Sequence, residues 1–344
     1  MALAVEENFE PKQFSLGTII TIKVTADDYG YCPQRNEGIL EALNDGIVNS
    51  VSVLVNAAFV DPIPLKCCLK TAVKKLKLGL HLNLTEGRPV TSFDSVETLL
   101  DHDNEFFPKA LFQEHLKLFS KTQIYQEIKN QIVLFNEIFG KNPDYIDGHQ
   151  HCHIFPIITE ELVKCMDEFD IQETRIPHEI VDLVDLKRNG CITENQEYFF
   201  QTVLENCITA KSIFDKREIR YVNFQVSKCS NLFLQSKNIK LETEVHYGQY
   251  PHYFIGLSTM SKSMTESSMR QAINIIKDNL RKNQPFEWTN KGDMFVELMA
   301  HPGFPCVTKD AGCSVKGPDD FAKSHDRLYE LNFLKSQTAF KLLY

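Results

Sequence analysis

Short runs of apolar and β-branched residues alternate along the chain with longer segments in which apolar residues recur every three or four positions. Such short runs are typical of buried strands, and the longer segments, which often end at Gly or before Pro, are typical of amphipathic helices. The predicted strands cover residues 18–25, 48–55, 76–84, a stretch that starts at 145, 173–177, 218–224, 252–257 and 293–300. The predicted helices cover residues 35–44, 63–75, 125–139, 156–169, 197–214, 265–280 and most of 319–343.

This alternation indicates an α/β fold with a mainly parallel sheet. We predict a single domain over residues 18–344, with a distorted or incomplete (β/α) TIM-type barrel, after a polar lead-in over residues 1–17. Residues 88–120 are expected to be irregular, with short helical pieces. In such barrels the chemistry lies at the C-terminal ends of the strands. Polar residues that follow the predicted strands should therefore converge on one mouth.

Composition and charge narrow the class of protein. The chain has 344 residues, is 43% hydrophobic and carries a formal net charge of -9, so neither a nucleic acid nor an anionic membrane is the expected partner. No apolar run has membrane-spanning length, and the first ten residues lack the pattern of a signal peptide. The 10 cysteines are irregularly spaced, which favours reduced thiols in an intracellular, cytoplasmic protein. A homodimer is left open.

Three histidines at alternate positions form the most unusual stretch of the sequence. His149, His151 and His153 follow Gly148, and on an extended backbone their side chains would share one face. Imidazole is a common metal ligand and a ready acid or base near neutral pH. The alternative is a polar loop in which the histidines cluster without a shared role. The spacing favours a site, provided that other residues complete it.

Candidate partners follow two earlier strands. Asp27 and Asp28 follow the first predicted strand, and His81 lies near the end of the third. Adjacent carboxylates near an apolar strand are costly unless they share a cation or a proton, although Asp is also common in turns. His81 alone could be a core histidine. With His149, one carboxylate and two imidazoles make a metal site with open positions, and the second carboxylate could act as a base.

Two residues after later strands are further candidates. His301 precedes Pro302 and Gly303, so it is either incidental to a turn or a general acid that protonates the leaving group. Arg175 lies in the short strand and turn predicted over residues 173–177. Its charge and planar fork could orient Asp27 or the substrate, and the alternative is a surface salt bridge of little energetic value.

Five motifs in order now resemble those of a known family. They are Val24–Gly30 with Asn36–Ile39, Gly79–Thr85, Asp147–His153, Arg175–Pro177 and His301–Gly303, and a C-terminal helix pattern adds Ser324, Arg327, Glu330 and Leu331. Together they resemble the YdjC-like carbohydrate deacetylases over roughly residues 19–335. Gln150 and Cys152 depart from the family pattern, which often has His and Val at these two places.

The resemblance implies a metal-dependent hydrolase that removes acetyl groups from N-acetylated carbohydrates of the chitooligosaccharide type and so contributes to oligosaccharide degradation. It implies Asp27 as the proton acceptor and Asp28, His81 and His149 as the metal ligands. Mg²⁺ is the ion usual in the family, while the donor set leaves Zn²⁺, Co²⁺ and Ni²⁺ open. Candidate substrate-binding residues are His151, His153 and Asn83.

Two other functions stay open at this point. One is a zinc amidohydrolase, in which His-x-His normally follows the first strand, whereas here it comes midway and Asp27-Asp28 comes first. The other is a catalytically inactive barrel that binds a sugar or a protein partner. The presence of the complete set of candidate ligands argues against this alternative. Metal analysis and acetate release from N-acetylglucosamine oligomers would separate these readings.

Overall fold

Six parallel strands form the centre of the protein. We describe residues 19–71, 76–181, 183–188, 192–216, 253–282 and 293–343 from a computed structural model. The strands are β1 Ile19–Tyr29, β2 Ser50–Val53, β3 Lys77–Leu82, β4 Ile146–Gly148, β5 Tyr253–Ile255 and β6 Asp293–Ala300. Their order in the sheet is β4-β3-β2-β1-β6-β5, and every pairing is parallel. The predicted α/β class is therefore confirmed.

Helices connect these strands and cover the sheet. They are α1 Pro33–Asp45, α2 Pro62–Thr71, α3 Lys109–His115, α4 Lys121–Phe139, α5 Pro156–Glu168, α6 Leu183–Arg188, α7 Glu194–Asp215, α8 Glu266–Lys282, α9 Asp320–Lys323, α10 Asp326–Leu334 and α11 Gln337–Leu343. α4 ends at Gly140, whose φ of 76° is accessible to glycine without strain. α7 begins with a capping box between Thr193 and Gln196, a signal that fixes its first turn. None of the helices within the described ranges is both long and apolar enough to cross a membrane.

Closure into a full barrel is not found among the described residues. β4 and β5 lie at opposite edges of the sheet, and the predicted strand 173–177 contributes one isolated parallel bridge, between Ile146 and Thr174. The predicted strand 218–224 lies outside the described residues. Alternation of strands and helices predicts a parallel sheet, but closure depends on pairing between distant strands, which local pattern does not encode.

The first strand runs through the two aspartates rather than ending before them. β1 pairs with β2 in register up to Ala26 and resumes with a shifted register at Tyr29, so the strand is irregular at Asp27 and Asp28. Both aspartates are buried. A residue inserted at such an irregularity redirects the neighbouring side chains. The end of β1 therefore delivers two adjacent carboxylates into the interior of the protein.

The C-terminal part of the chain packs closely on α1. A Cβ at Gly38 would lie 2.3 Å from the Cα of Gly303, so only glycine permits this approach. Gln34 and Arg35, at the start of α1, bond to the backbone of Phe304 and His301. The segment that follows β6 is thereby held beside the carboxyl end of β1.

Candidate active site

Asp27 and Asp28 face different partners although they are neighbours in the sequence. Asp28 has a φ of 70°, a left-handed conformation that costs a non-glycine residue energy. Asp27 contacts Arg175, whereas Asp28 contacts His81 and His149. Strain of this kind persists only where surrounding contacts compensate for it, and it is concentrated at functional sites. We call the two resulting groups the guanidinium side and the imidazole side.

The imidazole side consists of Asp28, His81, His149, Asp147 and Glu86. Oδ1 of Asp28 lies 3.3 Å from Nε2 of His81 and 3.1 Å from Nδ1 of His149. The far nitrogens face two more carboxylates: Nδ1 of His81 lies 2.7 Å from Asp147, and Nε2 of His149 lies 3.1 Å from Glu86. A neutral imidazole has only one N–H. Each ring therefore directs a lone pair at a carboxylate unless it takes a second proton or the Asp28 end binds a cation.

A divalent cation fits this donor set. One oxygen of Asp28 and one nitrogen each of His81 and His149 lie within 4.8 Å of one another, and all three residues are buried. Ligands at right angles, each about 2.1 Å from one ion, are about 3.0 Å apart, which is close to the two distances measured from Asp28. The donor chemistry suits Mg²⁺ less specifically than a transition ion or Zn²⁺.

Electrostatics point in the same direction on the imidazole side. Burial disfavours the charged rings, yet Asp147 and Asp27 raise the pKa of His81 to about 10. Hydrogen bonds to Asp28 and Glu86 likewise overcome burial and raise the pKa of His149 to about 9. The pKa of Asp28 is well below its usual value, because hydrogen bonds from the two rings outweigh burial. The residues of the imidazole side together favour a positive charge beside the Asp28 oxygen.

The guanidinium side consists of Arg175, Asp27, Asp147 and Glu297. Arg175 is fully buried, so it is not the surface salt bridge considered above. Its Nη1 and Nη2 bond to the two oxygens of Asp27 at 2.6 and 2.9 Å, and Nη2 lies 2.8 Å from Asp147 and 3.0 Å from Glu297. Burial raises the pKa of Asp27 to about 6, against the opposing charge of Arg175. Asp27 is thus a fixed carboxylate with the basicity of a general base near neutral pH.

The three alternate histidines do not share one face, and that prediction was wrong. β4 ends at Gly148, and residues His149–Ile154 form a 3-10 helix in which Gln150 and His151 have φ values of 52° and 59°. His149 turns towards Asp28. Period two holds only on an extended backbone, and two consecutive left-handed residues reverse the chain. No local pattern predicts these two conformations, since neither residue is glycine.

The other two histidines of the motif lie in different surroundings. His151 is buried between the rings of Phe199 and Phe254, with centroids 6.2 and 6.3 Å away. His153 is fully buried, and its Nε2 donates to the backbone carbonyl of Arg175 at 2.8 Å. Burial lowers the pKa of His153 to about 4. Substrate contact by these two rings stays a prediction, whereas support of the Arg175 backbone by His153 is what the structure describes.

His301 lies at the end of β6, beside the same mouth. Its carbonyl accepts a hydrogen bond of 2.6 Å from Arg35, its N–H donates to Glu330, and its ring packs edge-on against Phe321 with centroids 5.1 Å apart. Burial and the guanidinium groups of Arg35 and Arg327 keep the pKa of His301 well below its usual value. This lowered pKa favours the neutral form of the ring.

The side chain of Asn83 bonds within its own loop and also donates to Oδ1 of Asn56 at 3.2 Å. Its side-chain oxygen accepts from the N–H groups of Thr85 and Glu86 at 3.0 and 3.1 Å, and its amide nitrogen donates to the carbonyl of Glu86 at 2.7 Å. The predicted contact with substrate stays untested. In the structure Asn83 shapes the turn that directs Glu86 at His149.

Three carboxylates of the site were missed in the sequence. Asp147 is the first residue of the motif Asp147–His153. Glu297 is the one charged residue of the otherwise apolar run Met294–Ala300, which is a signal that a buried partner exists. Glu86 followed β3 in a segment that reads as a turn. Nothing in its neighbourhood distinguishes it from a solvated turn residue.

Comparisons with known proteins show the family of this chain. Residues 21–344 match the family model described as YdjC-like protein. The chain is 30% identical to a carbohydrate deacetylase of Danio rerio over 327 residues, covering 92% of each protein. It is 31% identical to a carbohydrate deacetylase of Homo sapiens over 319 residues, covering 92% of this chain and 84% of that protein.

A solved structure shows the same fold. The crystal structure of a candidate cellobiose-phosphate cleavage protein from Enterococcus faecalis superposes with a TM-score of 0.59, covering 94% of each chain at 16% sequence identity. Identity this low supports the architecture and carries no information on activity.

Proposed function

The chain belongs to the YdjC-like protein family, and from this premise we propose that it is a metal-dependent hydrolase that removes the acetyl group from an N-acetylated carbohydrate. The substrate class comes from curated relatives that are named carbohydrate deacetylases. A shorter match, 35% identical over 137 residues, is to a chitooligosaccharide deacetylase of Citrobacter koseri, which makes N-acetylglucosamine oligomers the first substrates to examine.

The observation that carries the proposal is that the two neighbouring aspartates at the end of β1 have different partners. Asp28 lies between two imidazoles, in a set of donors that suits a divalent cation. Asp27, the next residue, is held by two hydrogen bonds from Arg175. A hydrolytic metal centre needs both features, a ligand set with open positions and a base that does not itself bind the ion.

Asp28, His81 and His149 would hold the ion, which would act as a Lewis acid towards the acetamide carbonyl and acidify a water molecule. Asp27 would accept the proton of the attacking water. Its fixed position matters because a general base must lie within hydrogen-bond reach of the proton it removes. Arg175 would keep both oxygens of Asp27 in place as the carboxylate gains that proton. The guanidinium group is itself held by Asp147 and Glu297, so its position does not depend on Asp27 alone.

His301 would return a proton to the departing amine. Because burial keeps the pKa of the ring below its usual value, the ring would first have to take up the proton that Asp27 removed from the attacking water. Negative charge on the tetrahedral intermediate would favour that uptake, because a nearby negative charge raises the pKa of an imidazole. Breaking of the C–N bond would then release acetate and the free amino sugar. The buried contacts of Arg35 and Glu330 hold the backbone of His301, and Phe321 packs against its ring.

The test is acetate release from chitobiose and longer N-acetylglucosamine oligomers by protein loaded in turn with Mg²⁺, Zn²⁺, Co²⁺ and Ni²⁺. We expect turnover with at least one ion and its loss in EDTA. A small N-acetylated amino-acid amide is the matched control substrate. Equal hydrolysis of that control would favour an amidohydrolase instead, and absence of acetate release with every ion would contradict the proposal.

A further inference from the structure

Each histidine of the imidazole side has one ring nitrogen that faces Asp28 and another that faces a second carboxylate. We propose that Glu86 and Asp147 are positioning residues that fix His149 and His81 in opposite tautomers, so that one ring binds the ion through Nδ1 and the other through Nε2. This inference rests on the proposed metal-dependent function and concerns residues to which the comparisons assign no role. It follows from three observations: how Glu86 is held, how Asp147 is held, and what a carboxylate can accept.

Glu86 is fixed by contacts on both ends. Its Oε1 accepts a hydrogen bond of 2.9 Å from the hydroxyl of Tyr31, and its backbone carbonyl and N–H both bond to Asn83. The remaining oxygen, Oε2, lies 3.1 Å from Nε2 of His149. Because the loop and one oxygen are already engaged, the second oxygen has a defined position behind the His149 ring.

Asp147 occupies the equivalent place behind His81. It is fully buried at the start of the histidine motif, and its Oδ1 lies 2.7 Å from Nδ1 of His81 while also accepting from the hydroxyl of Ser52. Its Oδ2 lies 2.8 Å from Nη2 of Arg175. The ion pair with Arg175 keeps the carboxylate in its acceptor form. Asp147 thereby links the imidazole side to the guanidinium side.

An ionised carboxylate can only accept a hydrogen bond. The nitrogens that face Asp147 and Glu86 must therefore be N–H groups, which are Nδ1 of His81 and Nε2 of His149. With a cation bound at Asp28, the other two nitrogens need no proton and keep their lone pairs. They are Nε2 of His81 and Nδ1 of His149, which lie 3.3 and 3.1 Å from Oδ1 of Asp28. The supporting carboxylates would thus leave both lone pairs on the side of each ring that faces Asp28.

The first experiment measures Zn²⁺ affinity by competition with a chromophoric chelator. Carboxylates behind ligand histidines typically contribute 10–100-fold in metal affinity, so we expect Glu86→Gln and Asp147→Asn each to weaken binding by about that factor. Glu127→Gln is the matched control. Glu127 is also a buried carboxylate, but it accepts from the backbone of Val90 and Thr91 and from Gln131, and its loss should leave Zn²⁺ affinity unchanged.

The second measurement needs no substitution, which keeps the inference testable if Asp147→Asn does not fold. Long-range ¹⁵N–¹H correlation spectra of the Zn²⁺-loaded protein with ¹⁵N-labelled histidine should show one metal-bound ring protonated at Nδ1 and the other at Nε2. The assignments, made with His81→Ala and His149→Ala, should give Nδ1–H to His81 and Nε2–H to His149. Any other combination overturns the inference.

The outcomes separate this inference from the proposed function. Wild-type affinity in Glu86→Gln and Asp147→Asn, with Zn²⁺ still bound by wild type, would refute the positioning role alone. Loss of Zn²⁺ in Glu86→Gln as complete as in His149→Ala would make Glu86 a ligand and also overturn it. If wild-type protein binds Zn²⁺ no better than the His81→Ala/His149→Ala variant, the metal site itself fails, and the inference with it.

Discussion

The guanidinium side and the imidazole side begin at adjacent residues, Asp27 and Asp28, but the negative charges of their carboxylates are neutralised in different ways. On the guanidinium side, the positive charge of Arg175 meets the carboxylates of Asp27, Asp147 and Glu297, and Lys23 lies 3.4 Å from Glu297. On the imidazole side, Asp28 and Glu86 lie 3.1–3.3 Å from imidazole nitrogens, whereas Nη2 of Arg35 lies 4.0 Å from Asp28. The first group is balanced by permanent charges, and the second needs a proton or a cation.

This difference explains how two neighbouring carboxylates can have separate functions. A guanidinium stays protonated at every physiological pH, so Asp27 has a permanent partner and needs no ion. An imidazolium, unlike a guanidinium, can give up its proton, so the two rings beside Asp28 can exchange their second protons for one divalent cation. One peptide unit, with the left-handed φ of Asp28, separates the two environments. The comparison makes predictions for each side, starting with the largest effect.

Removing a ligand should abolish the imidazole side as a metal site. We expect Asp28→Asn to lose bound metal and turnover together, as His81→Ala/His149→Ala should, because the central oxygen of the donor set loses its charge. Metal content by mass spectrometry, beside acetate release and circular dichroism of the folded variants, is the measurement. Stoichiometric metal retained in the double-histidine variant would rule out this site.

Removing the base should leave the metal in place. We expect Asp27→Asn to retain metal and lose roughly 10²–10⁴ in turnover, which is the usual contribution of a general base. The same two assays apply, with Asp28→Asn as the comparison variant. A metal-free Asp27→Asn protein beside a metal-loaded Asp28→Asn protein would show that the roles are reversed. Full activity in both variants would end the mechanism as proposed.

Replacing the guanidinium group of Arg175 by an amine should have a smaller effect. Arg175→Lys keeps the charge but loses the two parallel hydrogen bonds to Asp27. We expect turnover to fall by about 10- to 100-fold, the equivalent of one or two hydrogen bonds to a charged group, with metal content unchanged. Wild-type turnover in this variant would show that the fork does not orient the base.

Much of the framework could be predicted from the sequence because it depends on local pattern. The apolar run that became β6 was predicted to span 293–300 and does, and α5 was predicted one residue longer than it is. Asp27, Asp28, His81 and His149 were selected as residues that follow strands, and a parallel sheet brings strand ends together whatever the loops do. The structure brings all four together.

The missed features depend on contacts between distant residues. Left-handed backbone at Gln150 and His151 has no local signal, since both are ordinary L-residues. Glu86 reaches His149 only because Asn83 and Tyr31, far from each other in the sequence, hold the loop from both ends. Asp147 reads as part of a motif, and its double contact with His81 and Arg175 emerges only when three segments of the chain meet.

The smallest predicted effect is on the free energy of unfolding and concerns the motif Asp147–His153, which supplies His149 to the imidazole side and His153 to the backbone of Arg175. His149 belongs to the imidazole side and has a raised pKa, whereas His153 supports the carbonyl of Arg175 on the guanidinium side and has a pKa of about 4. Because the folded pKa of His153 lies below the unfolded value of 6.5, the unfolded chain binds a proton first as pH falls. Stability contributed by the neutral ring is therefore complete above pH 6.5 and is lost progressively between 6.5 and 4.

Replacing this ring isolates its contribution. His153→Gln keeps a donor for the carbonyl of Arg175 but does not titrate. Between pH 7 and 5.5, the free energy of unfolding of wild type should fall by about 1 kcal/mol relative to His153→Gln. Urea unfolding of both proteins at the two pH values measures the difference, which cancels the titration of every other group. A wild-type stability that falls no faster than that of the variant would mean that His153 is already charged in the folded protein, and the contrast between the two histidines of the motif would be lost.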